Sequence, residues 1–177
     1  PLYRGAGVRR IVVHDRTSGA RTARGPGVRL AKRALHELPW LSADAFVAVS
    51  DFVRERLIAV NGTPPARTYR IYNGIDLTRF AAGDGCALHR LLGVDAARRI
   101  VFCSGRVQPY KGMQTLVDAF AVLRGEGVGD VELAIAGEGP YLDELRERAA
   151  RHGLSNVHFL GRRTDVPALL AGASVAV

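Results

Sequence analysis

An α/β fold of parallel, Rossmann-like sheets is predicted by three features of the 177-residue sequence. Short apolar runs such as RIVFCS (99–104) and VELAIA (131–136) have the length and β-branched character of strands. Amphipathic stretches separate them, and from residue 99 onward the alternation is regular. Strands that are apolar throughout and alternate with amphipathic helices imply βαβ units whose sheet is covered on both faces. Right-handed crossovers make such a sheet doubly wound.

Each element follows from its own residues. RRIVVH (9–14) is a β-branched run, predicted as a buried strand ending at His14. Residues 15–27 are polar and contain Gly19, Gly25, Pro26 and Gly27, which makes them a loop. Val28, Ala31, Leu35, Leu38 and Trp40/Leu41 then recur with a helical period, with Arg29, Lys32, Arg33 and His36 on the other face. DAFVAV (44–49) is a second buried strand. Ser50 caps the next helix, Asp51 sits in its first turn, and Phe52, Val53, Leu57 and Val60 face inward. NGTPP ends that helix, and TYRIY (68–72) is a third strand that closes in the turn NGID (73–76). Residues 81–98, with two glycine-punctuated turns and one short helix, are predicted as a linker to a new unit. Strand 99–104, helix 112–124, strand 131–136, helix 140–152, strand 157–160, helix 165–171 and a strand from 174 complete the order.

Composition bounds the partners. The hydrophobic fraction of 47% and charged fraction of 24% suit a globular domain with a sizeable core. No apolar run approaches the roughly 18–20 residues of a membrane-spanning helix. The first residue is not Met, no signal-like run follows it, and the last residues stop inside a strand, so a fragment truncated at both ends is expected. Cys86 and Cys103 lack metal-ligand spacing; a buried free thiol at Cys103 and a reducing, cytosolic setting are expected. Net charge is +8 and uneven: nine Lys or Arg lie between Arg4 and Arg33 against the single acid Asp15. An anionic partner follows, whether lipid, nucleic acid or a phosphorylated substrate.

Ligands of a parallel α/β sheet bind at the carboxyl ends of its strands, so the loops after 104, 136 and 160 are the candidates. In SGRVQPYKG, Gly105 permits a tight turn, and Arg106 and Lys111 stand five residues apart before a helix whose start favours anions. Arg grips phosphate oxygens bidentately and Lys acts as a mobile point charge, so the pair could hold a diphosphate; two solvated cations are the plain alternative. The P-loop pattern is absent. In AIAGEGPYLDEL, Gly137 and Gly139 flank Glu138, and Pro140 suits a first helical position. Leu142 replaces the third glycine of a dinucleotide fingerprint, which makes a nicotinamide reading weak. In LGRRTDVPALL, Thr164 or Asp165 is expected to cap the next helix, and the backbone at Arg162 and Arg163 to border the same crevice. His14 ends a strand before a polar loop and is structural or catalytic on this ground alone. The basic helix 28–41 is a solvated face or a membrane-surface helix. No aromatic-interleaved basic patch or helix-turn-helix pattern supports nucleic-acid binding. Neither a Ser-His-Asp arrangement nor a metal cluster can be assembled.

Taken in order, AFVAVSDFVRERL, IYNGID…F, VFCSGRVQPYKGMQTLVDAF, LAIAGEGPYLDEL, NVHFLGRRTDVPALLAGASV and, less distinctively, IVVHD resemble the retaining glycosyltransferases of GT-B family 4, the glycosyl transferases group 1. The resemblance implies a GT-B fold of two Rossmann-like domains with parallel sheets, both incomplete in this chain. Residues 1–80 would be the end of the acceptor-side domain, 81–98 the interdomain linker, and 99–177 the first part of the domain that binds a nucleotide sugar. It implies transfer from a nucleoside diphosphate sugar to a lipid-linked or polysaccharide acceptor, with no cofactor and no metal.

By the same resemblance Arg106 and Lys111 bind the donor diphosphate and stabilise the leaving group. Gly105, Gly137, Glu138, Gly139, Arg162 and Arg163 line the donor site, and His14 reaches the transferred sugar. The cysteine usage sets the expectation of a cytoplasmic protein, and the basic segment offers peripheral contact with an anionic membrane on the inner face of the plasma membrane as one alternative, with no nucleic acid among the expected partners. The family's paired glutamates, in an E-x₇-E pattern, would fall beyond Val177, and the isolated chain is expected to be inactive. A sugar-nucleotide epimerase of similar fold and a non-catalytic nucleotide-binding or membrane-surface module are the alternatives; the GRxxxxKG spacing speaks against the epimerase.

Overall fold

The computed structural model describes residues 2–17, 25–38, 40–81 and 83–177. Most of the predicted loop 15–27, with Arg21 and Arg24, lies outside the described residues. The chain divides into two compact units, Pro1–Ile75 and Asp76–Val177.

The first unit holds α1 (Leu2–Gly5), β1 (Val12–Asp15), α2 (Pro26–His36), β2 (Ala45–Ala48), α3 (Asp51–Ala59) and β3 (Thr68–Arg70). Its strands are parallel, in the order β1-β2-β3. Register sets His14 beside Val47 and Asp15 beside Ala48. Phe46 and Ala48 are buried together with Val53 and Leu57 of α3, and the His36 ring meets Phe46 edge-on at 5.2 Å. Ser50 caps α3 as expected, its Oγ accepting from the Val53 amide at 3.2 Å.

Three expectations for this unit are corrected. β1 begins and ends later than 9–14 and is an edge strand, with Val12 61% exposed, because among the described residues it pairs with β2 alone. The apolar positions of the helix predicted over 28–41 remain outside the core: Leu30 of α2 is 71% exposed, and Leu35 and Leu38 are exposed too. Phe52 also stands outside the core, while Val53 and Leu57 fill the inward face of α3.

The second unit holds α4 (Thr78–Ala81), α5 (Ala87–Leu92), β4 (Arg99–Ser104), α6 (Met113–Gly125), β5 (Val131–Ala136), α7 (Leu142–Arg151), β6 (Val157–Gly161), α8 (Val166–Ala171) and β7 (Val175–Ala176). The parallel sheet has the order β6-β5-β4-β7. Its two faces carry separate cores, because alternate residues of a strand point to opposite sides. Leu133 and Ile135 join Val117, Phe120 and Leu145 on the α6–α7 face. Ala134, Ile100 and Phe102 meet Leu88 of α5 and Leu169 of α8 on the other. The segment 81–98 therefore contributes a fully buried leucine to this unit.

The order in which strands are added reverses at β4: β5 and β6 add on one side of it, β7 on the other, all parallel. That is the switch point beside which parallel sheets hold ligands. Cys103 is a buried free thiol, as expected, and burial raises its pKa.

Candidate functional site

Three loops leave the carboxyl ends of β4, β5 and β6 and are stitched together by main-chain hydrogen bonds. The Gly105 amide donates to the Ala136 carbonyl at 3.0 Å, the Val107 amide to Glu138 at 2.9 Å, and the Gly137 amide to Gly161 at 2.7 Å. Two glycines make this approach sterically possible. A Cβ at Gly137 would lie 1.8 Å from the Gly105 carbonyl oxygen, and one at Gly139 would lie 2.0 Å from that of Val107. The glycines flanking Glu138 thus bring one loop backbone against another.

The stitched loops enclose an open crevice of about 640 Å³ lined by Ser104, Gly105, Arg106, Ala136, Gly137, Glu138, Arg162, Arg163 and Val166. Six residues singled out in the sequence meet here: Gly105, Arg106, Gly137, Glu138, Arg162 and Arg163. Gly139 packs on Val107, outside the lining. Lys111 is also outside it, at the far end of the same loop; it closes a 3₁₀ turn (Pro109–Lys111), and its Nζ lies 5.7 Å from the centre of the Tyr110 ring. His14 belongs to the other unit, on the exposed edge strand β1.

Electrostatics divide the three arginines of the crevice. Arg163 is bound in a fork by Asp165, Nε to Oδ1 at 2.9 Å and Nη2 to Oδ2 at 2.6 Å. Those hydrogen bonds hold the Asp165 carboxyl below its ordinary range. The expected side-chain cap by Asp165 is accordingly not made: its carbonyl accepts from the Ala168 and Leu169 amides, while its carboxylate serves Arg163. Pro140 likewise stands before α7, which starts at Leu142, rather than at its first helical position. Arg106 and Arg162 have no ion pair or hydrogen bond among the described residues, so their charge is available to an anion.

Sequence reasoning passed over one group beside His14. Burial alone would raise the Asp15 carboxyl, but hydrogen bonds from the Thr17 amide and hydroxyl (2.9 Å each) and from Arg56 outweigh it and lower its pKa. Arg56, on α3 and 8% exposed, donates from Nη2 to Asp15 Oδ2 at 2.5 Å and to the Thr17 carbonyl at 3.2 Å. Asp15 follows His14 in the sequence, but nothing in the sequence points to a partner 41 residues away.

The chain is α/β with two parallel sheets and a crevice at the carboxyl ends of one of them, and its structural neighbours are GT-B glycosyltransferases. Residues 3–79 match the family model of Glycosyltransferase Family 4, and residues 98–177 match that of Glycosyl transferases group 1. Among curated proteins, the chain is 35% identical over 156 residues to the GDP-mannose-dependent alpha-(1-6)-phosphatidylinositol monomannoside mannosyltransferase of Mycolicibacterium smegmatis, covering 88% of this chain and 39% of that one. It is 35% identical over 114 residues to the D-inositol 3-phosphate glycosyltransferase of Mycolicibacterium vanbaalenii, covering 64% and 24%. Anabaena Alr3699/HepE, solved in complex with UDP, superposes with a TM-score of 0.78 at 26% identity, covering 99% of this chain and 48% of that chain. Its UDP-glucose complex gives 0.70 at 27% identity, covering 95% and 46%. The chain thus spans less than half the length of these relatives. Together the matches support a GT-B glycosyltransferase.

Proposed function

We propose that the chain is the donor-binding and sugar-contacting portion of a glycosyltransferase that moves a sugar from a nucleoside diphosphate sugar to a lipid-linked or saccharide acceptor, with retention at the anomeric carbon. The observation that carries this is the crevice at the carboxyl ends of β4, β5 and β6, where Arg106 and Arg162 stand without acidic partners among the described residues. In this proposal Arg106 and Lys111 hold the donor diphosphate. As the bond from the anomeric carbon to the diphosphate oxygen breaks, its electron pair stays on that oxygen, and the two cations meet the growing negative charge.

Gly105 and the Gly137–Gly139 loop line the donor, the backbone at Arg162 and Arg163 faces the nucleotide base, and His14 reaches the transferred sugar. No metal or cofactor is assigned beyond the co-substrate. Residues 1–80, 81–98 and 99–177 take the roles of acceptor-side domain, linker and donor-side domain. Support comes from HepE, which was solved with UDP and with UDP-glucose, and from relatives named for transfer to inositol phosphate and phosphatidylinositol mannoside. Exposed Leu30 and Leu35 beside Lys32 and Arg33 on α2 fit peripheral contact with an anionic, cytoplasmic membrane face. Among the described residues no helix is long and apolar enough to cross a membrane.

The test is a panel of UDP-, GDP- and ADP-sugars offered to this chain and to any longer protein containing it, with turnover and donor binding both measured. Arg106→Ala and Lys111→Ala are each expected to lose about 2–4 kcal/mol of transition-state stabilisation, the scale of a lost oxyanion donor. Unchanged turnover in both variants overturns the assignment.

A further inference from the structure

β1 has little apolar anchorage. It is a four-residue edge strand, its valines are exposed, and among the described residues it pairs with β2 alone. Polar clamps hold it at both ends instead. At its start, the Ile11 amide donates to Asp44 Oδ2 at 2.7 Å, and Arg4 Nη2 donates to the same oxygen at 3.0 Å. At its finish, Asp15 accepts from the amide and hydroxyl of Thr17, and one nitrogen of Arg56 reaches both the Asp15 carboxylate and the Thr17 carbonyl.

The second clamp is the unusual one. Arg56 is nearly fully buried on α3, next to Leu57 of the core. A guanidinium is seldom buried without a paired carboxylate, and one partner lost leaves the other charge uncompensated. Asp15 shares a sheet face with Ala48, its register partner, which packs in the core with α3. Successive strand residues point to opposite faces, so Asp15 turns toward α3 while His14, one residue earlier, projects from the other face into the open. Locking Asp15 therefore fixes the direction of His14.

We propose that Arg56 is a positioning residue for His14: by holding Asp15 and the Thr17 carbonyl it fixes the carboxyl end of β1 and the orientation of the imidazole. The inference rests on the assignment of His14 to the transferred sugar. Arg56 itself touches no reacting group. It acts through Asp15, and its effect belongs to orientation rather than donor affinity.

The experiment reads the ring of His14 directly, by its ¹H and ¹³C resonances and χ1 couplings in the chain, assigned with His14→Gln. Arg56→Met, Asp15→Asn and the double variant Arg56→Met/Asp15→Asn are compared with the wild type, each with a urea unfolding curve. Removing one partner of a buried pair destabilises, whereas removing both recovers much of the loss. Stability is therefore expected to fall in the single variants and return in the double one. The wild type is expected to show one predominant His14 rotamer, and all three variants are expected to lose it. Recovery of the wild-type ring signals together with stability in the double variant overturns the proposal, since that is the behaviour of a purely structural ion pair. So do unchanged ring signals in folded single variants, or unfolding of all three. No donor enters this measurement, so failure of the glycosyltransferase reading shows in the nucleotide-sugar panel alone. Where the panel gives turnover, the variants are expected to lower kcat and leave the donor KM unchanged.

Discussion

Two glycines set the geometry of the crevice by what they lack. At Gly139 a single added methyl would meet the Val107 carbonyl oxygen at 2.0 Å, a contact with backbone that no side-chain rotation relieves. Gly139→Ala is therefore expected to part the loops after β4 and β5 and to cost about 1–3 kcal/mol, the range of an overpacked site. Urea unfolding measures that cost, and donor titration measures the accompanying loss of the crevice. Gly112 makes the contrast. Its Cβ would meet nothing, but its φ of +76° before α6 is a left-handed conformation, so Gly112→Ala loses stability through backbone strain alone. In the sequence Gly112 reads as the first residue of helix 112–124, and Gly137 and Gly139 as the glycines flanking Glu138. That Gly137 and Gly139 serve a backbone-to-backbone approach is not legible there, since the opposing carbonyls lie on a loop 32 residues earlier in the sequence.

Among the elements, β5 shows how far the sequence could be read. VELAIA reads as a buried strand, and its bounds and burial agree with that, yet its second residue, Glu132, is a buried carboxylate. Its carboxylate accepts from Arg98 Nε at 2.9 Å and lies 2.8 Å from His158 Nε2. These partners come from the residue before β4 and from β6, so no local pattern announces them. Glu132→Ala strands both and is expected to lower stability by about 1–3 kcal/mol. The lower half of that range applies, because Arg98 is about a third exposed and regains water. Glu132 lies near the amino end of β5, away from the crevice, so donor binding is expected to persist at denaturant levels where the variant stays folded. Elsewhere, elements were legible where periodicity and burial coincide: the strands at 99–104 and 131–136 match residue for residue. They were less so where side chains do something other than fill a core. The apolar stripe of α2 has a helical period but stands exposed, and the Asp165 carboxylate that looked like a cap is claimed by Arg163, two residues before it. Pattern reports spacing; which partner wins a polar group depends on the neighbouring loop.

For the molecule as a whole, acid lowers stability through groups whose folded pKa lies below the unfolded value. In the first unit, burial pushes the His36 imidazole below its usual range, and the positive charges of Arg67 and Lys32 oppose its protonation further, against the raising effect of a hydrogen bond at Asn61. An unfolded chain protonates the same ring near pH 6.5. Between that value and the lower folded one, the unfolded state binds more protons, so stability rises with pH and is lost as pH falls. Only at greater acidity do the carboxyls of Asp15, Asp118 and Asp165 titrate; their folded values are lowered, so their contributions are complete above the unfolded aspartate range and are lost as pH falls from there through the folded values. Within the first unit, loss of stability between the unfolded histidine pKa and the lower folded one is assigned to His36. The chain's single tryptophan, Trp40, lies in that unit and reports on it. Urea unfolding followed by Trp40 fluorescence is expected to shift to lower denaturant between about pH 7.5 and about pH 5.5, by less than roughly 1.4 kcal/mol per pH unit, the ceiling for one proton. His36→Gln, which cannot take up that proton, is expected to flatten the dependence. An unchanged slope in His36→Gln assigns the proton to another group and overturns the account.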